Sequence, residues 1–211
     1  MEESLLVEDY ITIRPHLYHL THRTNLVPLR QMRRLFPAAI LLRRGGRVEL
    51  MRTPRRRSEP VIIDGAQIML RDQGPLHKGN MQLSRGHTFE QFIESLNDRV
   101  FFWPGDQRGP ISYGIRHFEA YRDEQPAIVR VRMEDLLRAN PSIVPLFCRY
   151  NSGSPRCSYG KKSPRGPHTF LSAPDFRETC SRVVEVTFLA SVVLPPETEY
   201  GLHPGGPGRR L

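Results

Sequence analysis

The chain predicts an α+β domain, on three observations. Segments rich in β-branched and aromatic residues lie at both ends of the 211 residues, helices with apolar stripes lie between them, and the connections are too irregular for a doubly wound sheet. Neither G-x-G-x-x-G nor G-x-x-x-x-G-K-[ST] occurs, which removes the phosphate cradles of the dinucleotide and P-loop folds. The length suits one domain, residues 1–200, and no internal repeat is visible.

The elements follow in order. Pro15 disfavours helix just before it, so Leu17-Tyr18-His19-Leu20-Thr21 reads as a strand. Asn25 caps a helix carrying Leu26, Leu29, Met32, Arg33 and Phe36 at helical spacing, stopped by Pro37. Residues 43–60, with Gly45-Gly46, Pro54 and many arginines, read as an exposed loop or hairpin, and Val61-Ile62-Ile63 as a strand. Residues 71–87 carry no regular pattern. Thr88 and Gln91 form a capping-box pair ahead of Phe89, Phe92, Ile93 and Leu96, an i, i+3, i+4, i+7 stripe. Arg99 to Trp103 is a strand ended by Pro104-Gly105, and a helix follows from Pro110 to Arg122. Pro126 to Met133 is a strand and residues to Ala139 a short helix. Residues 151–174 are polar and basic with few aliphatics, the pattern of a functional loop. Arg182 to Pro195 supplies central strands, and the glycine-rich tail 201–211 is expected to be disordered.

Composition excludes several classes. The apolar runs, such as Phe188–Pro195, fall far short of the ~20 residues that span a bilayer. The acidic start, Met1-Glu2-Glu3-Ser4, lacks the basic and apolar regions of a secretory leader, so a cytoplasmic location is expected. Cys148, Cys157 and Cys180 match no zinc ribbon, and their odd number argues against a disulfide framework, so no metal site is expected. The net charge is +9, and 28 of the 31 basic residues are arginine, against Lys78, Lys161 and Lys162. Arginine's fixed fork of donors suits phosphate and its plane stacks on bases.

Two residues stand out chemically. His19 lies in a strand flanked by apolar neighbours. Glu185 interrupts Val183-Val184-Glu-Val186-Thr187-Phe188, and an acid on the buried side of a strand is costly unless paired or used.

Three segments together resemble the ADP-ribosyltransferase fold, in the branch with a His–Tyr–Glu triad. Leu17-Tyr18-His19-Leu20-Thr21, with Asn25-Leu26 opening a helix, is similar to that family's first motif. Val100-Phe101-Phe102-Trp103 and Ser112-Tyr113 resemble the middle motif, with an aromatic strand followed by a helix tyrosine. Val184-Glu185-Val186-Thr187-Phe188, with Val193-Leu194-Pro195, resembles the last motif. The likeness covers most of residues 10–200 and is greatest to the DarT-type toxins that modify nucleic acid and to a related bacterial family of unknown function. The chain departs at the middle strand, where the family's triad tyrosine is replaced by Phe101 or Phe102.

The resemblance implies a split sheet with flanking helices and an enzyme that cleaves NAD and transfers ADP-ribose singly. His19, Tyr113 and Glu185 would form the triad. His19 would donate to a ribose, with Leu20, Thr21 and Asn25 beside it, Tyr113 would stack on nicotinamide near Phe102 and Trp103, and Arg33 would face the pyrophosphate. Glu185 would stabilise the positive charge that builds on ribose as the nicotinamide bond breaks. Arg149, Asn151, Ser152, Arg156, Lys161, Lys162 and Arg165, interleaved with Tyr150 and Tyr159, would recognise RNA or single-stranded DNA. A toxin or defence effector of this kind implies a neutralising antitoxin. The alternatives are an NAD glycohydrolase or protein-directed transferase of the same fold, an RNA 2′-phosphotransferase-like enzyme, and a non-catalytic RNA-binding module.

Overall fold

The computed structural model describes residues 4–211; the acidic start Met1–Glu3 lies outside them. An α+β architecture is present. Its main sheet has strands in the spatial order Arg209–Arg210, Glu199–Gly201, Pro126–Arg132, His16–His22, Val100–Asp106, Glu185–Phe188 and Leu146–Cys148, each antiparallel to its neighbours. The His16–His22 strand pairs along its whole length with Pro126–Arg132, from His16↔Arg132 to His22↔Pro126. Among the described residues no helix is long and apolar enough to cross a membrane.

The Val100–Asp106 strand uses its two edges unequally, and this positions the site. On one edge it pairs with the His16–His22 strand only at His16↔Gly105, Leu17↔Pro104 and Tyr18↔Trp103. On the other edge it pairs with Val186↔Phe102, Thr187↔Phe101 and Phe188↔Val100. Both ladders stop beside Phe102 and Trp103, and the residue next in line is His19 on one flank and Glu185 on the other. Gly105 lets the strands meet closely, since a Cβ there would lie 2.2 Å from the Gly109 carbonyl oxygen and 2.8 Å from the Tyr18 ring. The strand therefore runs through Pro104-Gly105 to Asp106 instead of ending there.

One face of the sheet holds the largest apolar cluster, with Tyr10, Leu17, Phe102, Phe147, Val186 and Phe188 all buried. The Tyr10 ring meets Phe147 edge-on at 5.2 Å, fixing the Val7–Ile13 helix. A second cluster forms around Phe92, Ile93 and Leu96 of the Phe89–Asn97 helix, which has the capping box read from its sequence: Gln91 N–H donates to Thr88 Oγ1 at 3.1 Å and Thr88 N–H to Gln91 Oε1 at 2.8 Å. A third joins the Ala38–Arg44 helix to the Glu59–Ile63 and Ala66–Leu70 hairpin.

Four expectations are corrected here. Residues 43–60 are no single exposed loop: the Ala38–Arg44 helix takes Arg43 and Arg44, Val48–Met51 forms a 3₁₀ turn, and Arg55 is buried because its guanidinium reaches Asn97 Oδ1 and the Arg71 carbonyl. The helix expected from Pro110 spans Ser112–Ala120, because Gly109–Pro110 pairs back onto the preceding strand. Within 151–174, Cys157–Ser158 and Lys161–Arg165 make a hairpin, whose second strand runs parallel to Met81–Leu83. The tail is not disordered: Arg209 and Arg210 pair with Tyr200 and Glu199, and Arg33 ties the Leu211 and Pro195 carbonyls together.

Candidate functional site

Where the two ladders stop, the sheet opens into a cleft of about 280 Å³. His19 and Thr21 enter it from the first strand, Phe101 to Trp103 from the central strand, and Glu185 from the start of its own strand. Met69 to Gln73 form a facing wall, and the Asn151–Ser154 turn lies over Glu185.

His19 is fixed in one tautomer. Its Nδ1 lies 2.9 Å from the Phe101 carbonyl, which only accepts, so Nδ1 carries the proton. That carbonyl is free because the strand ladder ends at Tyr18. Burial pushes the imidazole below its usual value, with Arg71 adding to the fall and the Phe101 bond opposing it. Neutral His19 thus presents Nε2 to the cleft as an acceptor. A ligand hydroxyl or amide could donate to it there, the reverse of the donor role expected from sequence.

Glu185 is 3% exposed. Ser152 N–H donates to its Oε1 at 3.1 Å, while Oε2 is buried without a partner. Burial raises the carboxyl to about 7, against the opposing pull of Ser152 and the Arg165 charge. A carboxyl poised near neutrality, with one oxygen held and one free, suits charge stabilisation or proton transfer.

The remaining cleft chemistry comes from residues the sequence reading did not single out. The Arg71 guanidinium lies 4.2 Å from the centre of the Tyr121 ring, with its Nε buried and unpartnered. Tyr121 is raised well above the usual phenol value by burial and by the adjacent Asp72. His117 sits between Trp103 and Tyr121, with ring centres 5.6 and 4.9 Å away, and burial lowers it to about 4. A signal existed: Tyr113, His117 and Tyr121 recur at four-residue steps, one face of a helix.

Of the expected residues, His19, Leu20, Thr21, Asn25, Phe102, Trp103, Asn151, Ser152 and Glu185 line the cleft. Asn25 is fully committed there, bonding Thr21 Oγ1 and both polar groups of Met69. Tyr113 is displaced: it is 39% exposed, lies under Arg116, and is absent from the cleft wall that His117 and Tyr121 build one and two turns on. Arg33 is also elsewhere, because its left-handed backbone turns the guanidinium onto the Pro195 and Leu211 carbonyls. Arg34, which bonds Ser191 Oγ at 2.9 Å, reaches the cleft instead.

A wider groove of about 810 Å³ adjoins the cleft and shares Asp72, His117, Tyr121, Asn151 and Ser154 with it. Arg149 and Arg156 line it, with Arg149 paired to Glu178, and so do Arg56, Arg57 and Arg116, which the sequence reading did not assign. Lys161 and Lys162 are exposed on the hairpin beside it, outside both cavities. Arg165, expected to contact an acceptor, does line the groove but is buried, with its donors spent on loop carbonyls and Ser163. Tyr150 is held between Arg149 and Arg165, at 4.8 and 4.5 Å from its ring centre, and only Tyr159 projects fully into water. Among the described residues no group of three His, Cys, Asp or Glu side chains is placed to hold a metal ion.

No curated protein and no solved structure matches the chain. A match to a family of unknown function (DUF7002) spans residues 15–195, from the first strand through the strand of Glu185 to Pro195, and the chain belongs to that family.

Proposed function

We propose that the protein is an NAD-dependent mono-ADP-ribosyltransferase whose acceptor is RNA or single-stranded DNA. The observation that carries this reading is the pair flanking Phe102–Trp103: a buried carboxylate with one free oxygen and a neutral histidine that accepts. The C–N bond between nicotinamide and ribose breaks, its electron pair leaves with nicotinamide, and positive charge develops on ribose. Glu185, whose Oε2 is buried without a partner, lines the cleft and would stabilise that charge, an effect worth most where water is excluded. The attacking acceptor atom gives its electron pair to ribose and its proton to Glu185. His19 Nε2 orients the sugar, and Arg71 and Arg34 complement the pyrophosphate.

The groove supports a polyanionic acceptor. Arg56, Arg116 and Arg156 are exposed along it and its wall runs into the cleft, so a strand bound by its phosphates can present one nucleotide to the sugar. Such an activity fits a toxin or defence effector held in check by an antitoxin. The test is nicotinamide release from NAD by the wild type and Glu185→Gln, with RNA, with single-stranded DNA and with neither. Release stimulated by one nucleic acid, with label transferred to it and lost in the variant, supports the proposal. Release indifferent to nucleic acid indicates a glycohydrolase or protein-directed enzyme. No release by folded protein refutes it and leaves a binding module.

A further inference from the structure

The buried Arg165 and the buried Glu185 are joined through a single peptide group. Arg165 Nη2 donates to the Asn151 carbonyl at 2.9 Å, and the N–H at the other end of that same peptide, on Ser152, donates to Glu185 Oε1 at 3.1 Å. We infer that Arg165 is a positioning residue, which clamps and polarises the Asn151–Ser152 peptide so that it holds the Glu185 carboxylate in place.

Four observations support this. Arg165 is 3% exposed, a cost that a merely solvated arginine would not bear. None of its hydrogen bonds goes to a carboxylate: they go to the carbonyls of Asn151, Ser152 and Pro164 and to Ser163 Oγ, so its hydrogen-bonded link to Glu185 runs through the peptide. Its plane is braced on Tyr150, and its strand is locked to Met81–Leu83, with Ser84 N–H donating to the Arg165 carbonyl at 2.9 Å. Next to it, Gly166 permits a contact that fixes the anchor, since a Cβ there would lie 2.1 Å from Ser84 Oγ. Chains of hydrogen bonds ending in opposite charges strengthen one another in a dry interior.

The charged and titratable groups facing Glu185 are few. Cys148 opposes it on the neighbouring strand with its thiol held neutral by burial, and Arg99 and His19 line the same cleft. Arg165 is the cation that favours the ionised carboxylate. Removing it loosens the peptide and raises the pH at which Glu185 ionises.

The inference rests on the proposed reaction for its catalytic consequence but not for its first test. In ligand-free protein, the Glu185 carboxyl carbon is followed by NMR against pH, identified by its absence in Glu185→Gln. The Ser152 amide and Arg165 guanidinium signals of the unmodified protein must titrate with the same midpoint. Arg165→Gln moves that midpoint up by roughly one pH unit, and Arg165→Lys, which keeps charge but not the fork, moves it less. Nicotinamide release then falls about fivefold at neutral pH and recovers toward pH 9, a profile that a merely structural defect would not produce. Independent titration of Ser152 and Arg165, or an unmoved midpoint in a folded variant, overturns the inference. A shared, movable midpoint without NAD cleavage upholds it and discards the reaction.

Discussion

The cleft and the groove share a wall yet treat charge in opposite ways. In the cleft, Arg55, Arg71 and Glu185 are mostly or wholly buried and are held by named groups: Asn97 and the Arg71 carbonyl, Tyr121, and the Ser152 peptide. In the groove, Arg56, Arg116 and Arg156 stand in water. Burial converts the first set into groups with shifted ionisation and fixed geometry, where a small displacement is expensive. The second set acts at longer range, is screened by salt and tolerates rearrangement. Chemistry suits the first arrangement and capture of a flexible polyanion suits the second.

The largest expected effect tests the cleft. Glu185→Gln lowers nicotinamide release by at least about a thousandfold, on the scale of losing a preorganised charge in a dry site. The same variant has a stability signature. The folded-state carboxyl at about 7 lies above its unfolded value near 4.5, so the contribution of Glu185 to stability is greatest below 4.5 and is lost as pH rises through 7, by roughly 3 kcal/mol. His117 contributes the opposite slope: lowered to about 4, it favours folding above 6.5 and loses that contribution as pH falls. Lowered His16, His19 and His22 act in the same sense as His117, so melting temperatures should rise with pH between 4.5 and 6.5 more steeply in Glu185→Gln than in the wild type, where Glu185 offsets part of the slope. Parallel curves would contradict the assignment.

His19→Ala removes the Nε2 acceptor and the tie to Phe101, and NAD affinity by calorimetry should fall about tenfold to a hundredfold. If His19→Ala binds NAD as tightly as wild type, the cleft is not where the ribose sits.

Smaller effects sharpen the groove side. Neutralising Arg56, Arg116 or Arg156 to Gln should weaken single-stranded nucleic acid binding modestly at each position. The slope of log affinity against log salt should shrink by a little under one per arginine, read by fluorescence anisotropy. An unchanged slope would remove that residue from the phosphate path. Smallest of all, Tyr113→Ala should alter nicotinamide release less than Tyr121→Ala, because only Tyr121 reaches the cleft.

His19 alone reads equally well as a core histidine and stands out through the resemblance of its segment. The helix after it ends at Met32, short of Phe36, because Arg33 turns left-handed. Glu185 was legible because one acid interrupting an apolar strand is a local pattern. The capping box at Thr88 and Gln91 was legible for the same reason. Arg71, Asp72 and Tyr121 were not, since their relation is made by packing a hairpin edge against a helix end distant in sequence. Tyr113 lies outside the cleft, in the groove, one and two helical turns from His117 and Tyr121 on a face that the spacing marks. Arg165 and Arg33 read as free cations because composition cannot distinguish a guanidinium in water from one folded onto carbonyls. The tail read as disordered from its glycines, although its two arginines complete the sheet edge.

The 157–165 hairpin is buried at one end and bare at the other. Its foot, Arg165, is tied into the carboxylate's support, while its tip, with Tyr159, Lys161 and Lys162, touches neither cavity wall. The tip can therefore change without disturbing the foot: residues 158–162 can be exchanged or lengthened while the groups that line the cleft stay where they are. The fold separates a foot fixed by its hydrogen bonds from a tip free to diverge.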